Sequence, residues 1–320
     1  MTNLGPDPAR LRPALGALLA VFFLISCGNP ATPAPKPQPP PPFEFLGVWG
    51  EKGDGPGKLN APVAFAGDTL GNVFFVDPAE SFIHKFESNG TPLLSFEDWR
   101  VRHASGIAVD SGGAIYAADA ERGSIIIFFP DGSFLQSWRC APQRHFSGPV
   151  GISTDEQGNL YVPEAAKSRI LKFNSRGRLV KSWAAPNTSA SPDERPSSVV
   201  AALDGTVLVA YFQTGRIERF TPDGTSMTSW VGTSPAGETR PLSGFAAEAG
   251  HVYTLAASSA DIRVWTLDGQ QKLHDDLSQY IGQIGAPQIA VTPHAELLVF
   301  DPSAPKVFRF RIHLDNPEFK

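Results

Sequence analysis

The chain has few cysteines, no long hydrophobic run and no long helical pattern. Its 320 residues include two cysteines, Cys27 and Cys140, which excludes a disulfide-rich scaffold. The apolar stretch Ala14 to Ile25 has 12 residues and is too short to span a bilayer as a helix. Only the run Asp276 to Gln283 could form a turn of helix. The sequence therefore predicts an all-β protein.

Basic residues are also scarce relative to acidic ones. The chain carries 27 Lys and Arg against 32 Asp and Glu, a formal net charge of −5. Residues 1–26 contain Asp7, Arg10 and Arg12, so the remainder holds 25 basic and 31 acidic residues. A mildly acidic chain without a basic stripe argues against binding to nucleic acid.

One segment, in contrast, recurs along the whole chain. Its best copies, Gly106 to Trp138 and Gly151 to Trp183, share one order: Asp-x-x-Gly, an apolar strand, an acidic residue, a second strand with Phe, a Gly turn and a last strand ending in Trp. The turn glycines are 42 to 47 residues apart, at Gly90, Gly132, Gly177, Gly224 and Gly269. A period of about 40–50 residues with several short strands per unit is typical of propeller blades.

The count of repeats predicts a six-bladed β-propeller with four-stranded blades. A sixth unit, Ala286 to Arg311, ends before its fourth strand, and the N-terminal segment Phe45–Trp49 resembles the fourth strands of blades two and three. We therefore expect Phe45–Trp49 to complete the last blade and to remove two exposed sheet edges. The aromatic residues that end the fourth strands are expected to pack between blades rather than to bind sugars. They are Phe96, Trp138, Trp183 and Trp230.

These repeats resemble the NHL-repeat family of six-bladed propellers over about Phe43 to Ile312. The family pattern places an acid and a base five residues apart, as in Glu164 with Arg169 and Asp301 with Lys306. Other repeats depart from it, since Asp119 keeps only the acid and Arg216 only the base. The resemblance implies a fold but no activity, because propellers carry many unrelated functions.

The N-terminus has the pattern of a bacterial export signal. A short basic region precedes the apolar stretch, which ends in Leu24-Ile25-Ser26-Cys27. That ending resembles the lipobox of bacterial lipoproteins and implies lipidation of Cys27, with Gly28 favouring the outer membrane. The alternative is an ordinary secretory signal. We thus expect a signal peptide at 1–26, a lipidated Cys and Pro-rich linker at 27–42, and a monomeric propeller at 43–320 that faces the periplasm or the cell exterior.

Long loops between blades carry bases although the chain is acidic. If they converge, they would form a positive funnel for an anionic ligand; the alternative is that they are solvated and pair with nearby acids. The candidate ligand-binding residues are Trp99, Arg100, Arg102, His103, Arg139, Arg144, His145, Arg195 and Arg240. The predicted partner is a protein, a peptide or an anionic polymer of the cell envelope.

A metal site is the main chemical alternative. His103 and His145 each precede a first-strand glycine by three residues, and Asp77, Asp119 or Glu164 could add a third ligand. The resemblance to NHL-type amidating lyases implies a metal held by channel histidines, but a third such histidine is missing. Acids nine residues apart, such as Asp68 and Asp77, are expected to be structural.

The sequence therefore favours a binding scaffold with no catalytic residue and no cofactor. The alternative is a metal-assisted lyase or hydrolase, amidating-lyase-like or lactonase-like, with a divalent metal at the central channel. A third hypothesis is an envelope protein that only spaces other components.

Overall fold

Each repeat folds into a four-stranded antiparallel sheet. A computed structural model describes residues 39–139, 151–185, 194–233, 240–257, 259–282 and 285–313. The strands of these residues form six separate four-stranded sheets. The chain is therefore an all-β six-bladed propeller, as the repeat predicts.

Five blades consist of four consecutive strands, because tight turns favour pairing between neighbours. Blades one to three are β2 (Ala64–Gly67), β3 (Val73–Asp77), β4 (Phe82–Phe86), β5 (Pro92–Glu97); β6 (Ala104–Val109), β7 (Ile115–Asp119), β8 (Ser124–Phe128), β9 (Phe134–Arg139); and β10 (Ser153–Thr154), β11 (Leu160–Glu164), β12 (Arg169–Phe173), β13 (Leu179–Ala184). Blades four and five are β14 (Ser198–Ala201), β15 (Val207–Tyr211), β16 (Arg216–Phe220), β17 (Ser226–Val231); and β18 (Leu242–Glu248), β19 (His251–Ala256), β20 (Asp261–Thr266), β21 (Gln271–Asp276).

The N-terminal strand completes blade six, which confirms the predicted closure. Its order is β1 (Phe43–Trp49), β24 (Lys306–Ile312), β23 (Glu296–Asp301) and β22 (Gln288–Val291). β1 begins two residues earlier than predicted, and Phe43 lies opposite Ile312. Phe43 is buried in one hydrophobic cluster with Phe310, so the strand adds core packing as well as backbone hydrogen bonds.

The second strand of each blade forms the middle of the core. β3, β7, β11 and β15 are buried at every residue. Their apolar side chains are covered on both faces, because each blade packs between two neighbours. The continuous apolar runs of the sequence are explained by this double covering.

Aromatic residues at the ends of the outer strands pack on the turn glycines of the next blade. A Cβ at Gly177, which has φ +76°, would lie 2.5 Å from the indole of Trp138. The same arrangement joins Trp49 to Gly90, Phe96 to Gly132, Trp183 to Gly224 and Trp230 to Gly269. The predicted packing role of these aromatics is confirmed. Between blades five and six the contact is different: the ring of Tyr280, which follows β21, stacks on the ring of Phe45 with 4.9 Å between centroids.

Helical structure in the described residues is limited to short turns. α1 (Ser278–Ile281) is a single turn within Asp276 to Gln283, a run for which the sequence favours a lead into blade six over a turn of helix. Two 3-10 turns cover Trp99–His103 and Ala165–Lys167. None of the helices in these ranges has the length and apolar character needed to cross a bilayer.

Candidate functional site

The first strands of the six blades line a central channel with a cavity at each end. We call the end with the inter-blade loops the loop face, and the end with the turns between first and second strands the turn face. Both cavities are lined by apolar residues that lie in the first strands or directly before them, including Phe65, Ile107, Ile152, Phe245 and Ile289. These side chains form an apolar ring between the two cavities.

The loop-face cavity has a volume of about 330 Å³ and a neutral wall. Besides the apolar ring, its lining includes hydroxyl and amide groups, from Ser105, Ser197, Ser198, Ser243 and Gln288. Among its described lining residues there is no Asp, Glu, His, Lys or Arg. An apolar concavity with a few polar groups is typical of small-ligand sites.

Two serines of this cavity sit on β-bulges in opposite blades. In β6 the pairing passes from Ala104 to Gly106 and skips Ser105, and in β18 it passes from Leu242 to Gly244 and skips Ser243. Blades two and five are three positions apart in a ring of six, so the two serines lie across the channel from each other. Bulges of this kind often re-aim a side chain next to a functional site.

Each bulged serine donates to a backbone carbonyl oxygen of the second strand of its own blade. Ser105 Oγ donates to the carbonyl oxygen of Ala118 at 3.3 Å, and Ser243 Oγ donates to that of Ala256 at 3.5 Å. On the same rim, the amide of Gln288 donates to the carbonyl oxygen of Val63 at 2.8 Å and links blades six and one. The Ser243 hydroxyl, which donates to the carbonyl oxygen of Ala256, also has lone pairs that can accept a hydrogen bond.

Sequence reasoning missed these residues because it followed charge. A signal was present: Ser-Gly-Ile-Ala at 105–108 returns as Ser-Gly-Phe-Ala at 243–246, three blades later. Because this pattern occurs in blades two and five and not in the two blades between them, it indicates a feature in addition to the common blade pattern.

The turn-face cavity has a volume of about 300 Å³ and is acidic. Asp68 in its wall accepts from the backbone N–H groups of Leu70 and Asn72 and lies 3.5 Å from Lys85 Nζ. Asp155 accepts in the same way from Gln157 and Asn159. The first acids of the nine-residue pairs are thus structural, as expected. Burial raises the pKa of Glu248, which lies on the same wall.

The second acids of these pairs are buried beneath the loop face and bound within their own repeats. Asp77 accepts from the backbone N–H groups of Asn60 and Ala61 at 2.7 and 3.0 Å. Asp119 is paired with Arg122 at 3.0 Å, and Glu164 is paired with Lys167 and Arg169. Of the three acids considered as metal ligands, Asp119 and Glu164 are thus paired with a base and Asp77 is held by backbone N–H groups.

The first group of predicted binding residues lies at the junction of blades one and two. Arg100 is paired with Asp98 at 2.7 Å, and its guanidinium lies 4.0 Å from the ring centroid of Phe134 on the outer strand β9. Trp99 is exposed beside Arg100. Arg102 Nε donates to Ser81 Oγ at 3.0 Å. These residues do not line the described wall of either cavity.

The remaining predicted residues are spread around the ring. Arg139 ends β9 and is exposed, and Arg195 donates to the carbonyl oxygen of Ala165 at 3.1 Å. Arg240 is exposed before β18. Arg144 and His145 lie outside the described residues, as do Cys27 and Cys140.

Histidines in the described ranges do not gather at the channel. His103 Nδ1 lies 2.6 Å from a carboxylate oxygen of Glu121. His84 is buried between Phe82 and Phe86 beside Ser95, and burial lowers its pKa. No group of three His, Cys, Asp or Glu side chains that could hold a metal occurs among the described residues.

Comparison with known proteins gives the fold. No protein-family model matches the chain, and no curated protein matches it in sequence. A streptogramin B lyase structure aligns with a TM-score of 0.60 at 16% identity, covering 79% of this chain and 94% of that one. Virginiamycin B lyase from Staphylococcus aureus aligns with 0.59 at 13%, covering 79% and 95%.

A propeller from an unrelated context is equally similar. The Cps50 (Swd1) β-propeller domain of Myceliophteria thermophila aligns with a TM-score of 0.60 at 10% identity, covering 85% of this chain and all of that domain. Likeness at this level of identity establishes the propeller and leaves the activity to be argued from the site.

Proposed function

We propose that this chain is a binding propeller that takes up a neutral, partly apolar ligand in the loop-face cavity and does not convert it. The observation that carries the proposal is the wall of that cavity, which combines an apolar ring with serine hydroxyls and no charged side chain among the described residues. Such a wall favours an uncharged segment of a protein, a peptide or an envelope polymer. An anionic ligand, which the sequence predicts, would find no described base there.

We place this propeller in the bacterial envelope as an NHL-type lipoprotein. The NHL-type part is supported by the repeats, and the lipoprotein part by the N-terminal pattern, in which Cys27 follows a short apolar stretch and precedes a Pro-rich linker. A lipid on Cys27 would hold the chain at the outer membrane. Incorporation of labelled palmitate by the full chain, and its loss in Cys27→Ser, tests this part separately.

A lyase-like reaction is the second candidate, because lyases are among the structures that share the fold. One of them is a catalytically inactive His-to-Ala variant of virginiamycin B lyase from Staphylococcus aureus with quinupristin, at a TM-score of 0.56 and 15% identity. Elimination needs a general base or acid beside the bond that breaks. The described wall of the loop-face cavity supplies neither, and for this reason we favour binding.

The first test uses a neutral apolar dye, N-phenyl-1-naphthylamine, as a probe of the loop-face cavity. Ser105→Phe places a large ring in the cavity, so we expect its Kd for the dye to rise at least about tenfold. Ser243→Phe on the opposite blade should act alike. Fluorescence titration measures the Kd, and thermal unfolding verifies that each variant is folded.

The matched control is Ala201→Leu, which lies on β14 and lines only the turn-face cavity. Its Kd for the dye should equal that of the wild type. The wild-type Kd should also stay constant between about 0.05 and 0.5 M NaCl, since salt screens only charged contacts. Weaker binding in Ala201→Leu alone would move the site to the turn face. A strong salt dependence together with weaker binding in Arg102→Ala and Arg144→Ala would restore the charged-funnel hypothesis.

The second test asks for turnover directly. Quinupristin incubated with the chain and with divalent metal should remain unchanged by liquid chromatography, while virginiamycin B lyase from Staphylococcus aureus serves as the positive control. Conversion by this chain that disappears in His145→Ala would contradict the binding proposal. It would assign catalysis to the segment of the chain that contains His145.

A further inference from the structure

The outer strand of every blade contains a β-bulge at the same place. In blade one, Phe86 pairs with Pro92 and Lys85 pairs with Leu94, so Leu93 is skipped. The other five outer strands show the same shift between the same two pairs. The skipped residues, in blade order from six through one to five, are Leu46, Leu93, Leu135, Val180, Met227 and Lys272.

Four of these bulge residues are apolar and exposed on consecutive blades. Leu93, Leu135, Val180 and Met227 have exposed fractions of 47%, 39%, 47% and 50%. We call these four side chains the apolar arc. A bulge protects an edge strand from pairing whatever its side chain is. Blade five shows this, because it forms the same bulge with Gln271 and Lys272.

The topology places the apolar arc on one side of the propeller. In blades one to five the chain enters the outer strand from the turn between third and fourth strands, which is on the turn face, and the bulge is the second residue of the strand. Because the blades repeat around one axis, equivalent residues lie at the same height along it. The arc therefore follows the convex rim of the turn face, away from the loop-face cavity.

The N-terminal linker joins the propeller at the equivalent position of blade six. Pro42 accepts a hydrogen bond from the backbone N–H of His313 at 3.1 Å, directly before β1 begins. Cys27 lies 12 residues before Pro39 in the sequence. A lipid on Cys27 would thus be tethered to the same rim that carries the apolar arc.

We propose that the apolar arc rests on the interfacial region of a lipid bilayer. Four single side chains on blades one to four do not form a groove or a continuous patch for another protein. A flat surface that lies across the turn face can meet all four, because they lie at one height along the propeller axis. Their apolar area would add to the hold of the lipid anchor, since interfacial binding scales with buried apolar area. The choice of a bilayer rests on the proposed anchor, and the loop-face cavity would then open away from the lipid.

Vesicle binding of the chain without its lipid tests the arc independently of the anchor. Residues 27–320 with Cys27→Ser are mixed with phosphatidylcholine vesicles, and the bound fraction is measured by flotation. We expect binding, and we expect Leu93→Ser, Leu135→Ser, Val180→Ser and Met227→Ser combined to lower the partition coefficient at least about tenfold. Lys272→Leu should raise it by extending the arc to blade five.

The matched control is Val48→Ser, an exposed apolar residue near the loop-face end of β1. It should bind vesicles as the wild type does. An equal loss of vesicle binding in Val48→Ser, or unchanged binding in the variant with all four Ser substitutions, would overturn the proposal. A wild-type chain that does not float with the vesicles would also overturn it. A dimer in sedimentation that the fourfold variant abolishes would assign the arc to a second copy instead. None of these results depends on palmitate labelling or on dye binding, so failure of the arc is distinct from failure of the proposed function.

Discussion

Replacing Arg216 by Met should lower the free energy of unfolding by about 3–5 kcal/mol, because the change leaves two buried carboxylates without their base. Arg216 lies between Glu194 and Glu218, with N–O distances of 2.8 and 2.7 Å. Its guanidinium also lies 3.6 Å from the ring centroid of Tyr211. Both acids are almost fully buried, so neither can regain hydration when Arg216 is lost.

Two further variants separate charge from packing in this cluster. Arg311→Met removes a half-exposed ion pair with Glu44 at 3.5 Å and should cost less than about 1 kcal/mol. Adding Glu194→Gln and Glu218→Gln to Arg216→Met should recover part of the loss, since no uncompensated charge then remains buried. Urea unfolding measures all of these changes. If Arg216→Met and Arg311→Met lose the same stability, the cluster is not the buried ionic centre described above.

Removal of β1 should abolish cooperative folding of the propeller. A chain that begins at Glu51 lacks the outer strand of blade six and exposes Phe310, which Phe43 and Phe45 cover. Truncating one buried Phe costs about 3–5 kcal/mol, and small proteins have only about 5–15 kcal/mol of net stability. Loss of the whole strand should therefore exceed what the remaining blades supply. Circular dichroism on heating should show no sharp transition.

A chain that begins at Phe43 is the control and should unfold cooperatively. A synthetic peptide of residues 40–50, added to the chain that begins at Glu51, should restore part of the transition by pairing with β24. A sharp transition in the chain that begins at Glu51, without peptide, would show that the ring does not need its closing strand.

Most of the fold could be predicted from the sequence because its determinants are local. Asp-x-x-Gly forms a turn because the Asp side chain accepts hydrogen bonds from the backbone N–H groups that follow it, as at Asp68. This pattern can be recognised within one short segment. The aromatic at the end of each outer strand and the Gly of the next turn recur at a fixed spacing, so the junction of Trp138 with Gly177 can be anticipated. The closing role of β1 followed from one missing strand at the C-terminus and one extra strand at the N-terminus.

The site could not be predicted to the same extent because it depends on how strands pair. Ser105 and Ser243 face the channel through bulges, and a bulge is a property of two strands and not of one. The basic residues did not indicate the site, since Arg100 is paired with Asp98 and its guanidinium stacks on Phe134 of the outer strand β9. The acidic partner of Arg216 could not be predicted either. Tyr211 stands where the repeat pattern expects an acid, and Glu194, from the loop before β14, pairs with Arg216 instead.

The closure of the ring also sets an order of events during synthesis. Glu44 and His313 are in contact although they are 269 residues apart in the chain. β1, which is synthesised before the other strands described here, can therefore pair only after β24 has been synthesised. Blades one to five can form as the chain is produced, whereas blade six cannot. A shortened product that lacks blade six therefore leaves β1 unpaired and the facing sides of blades one and five uncovered. The closing strand makes completion of the chain a condition for a protected, soluble ring.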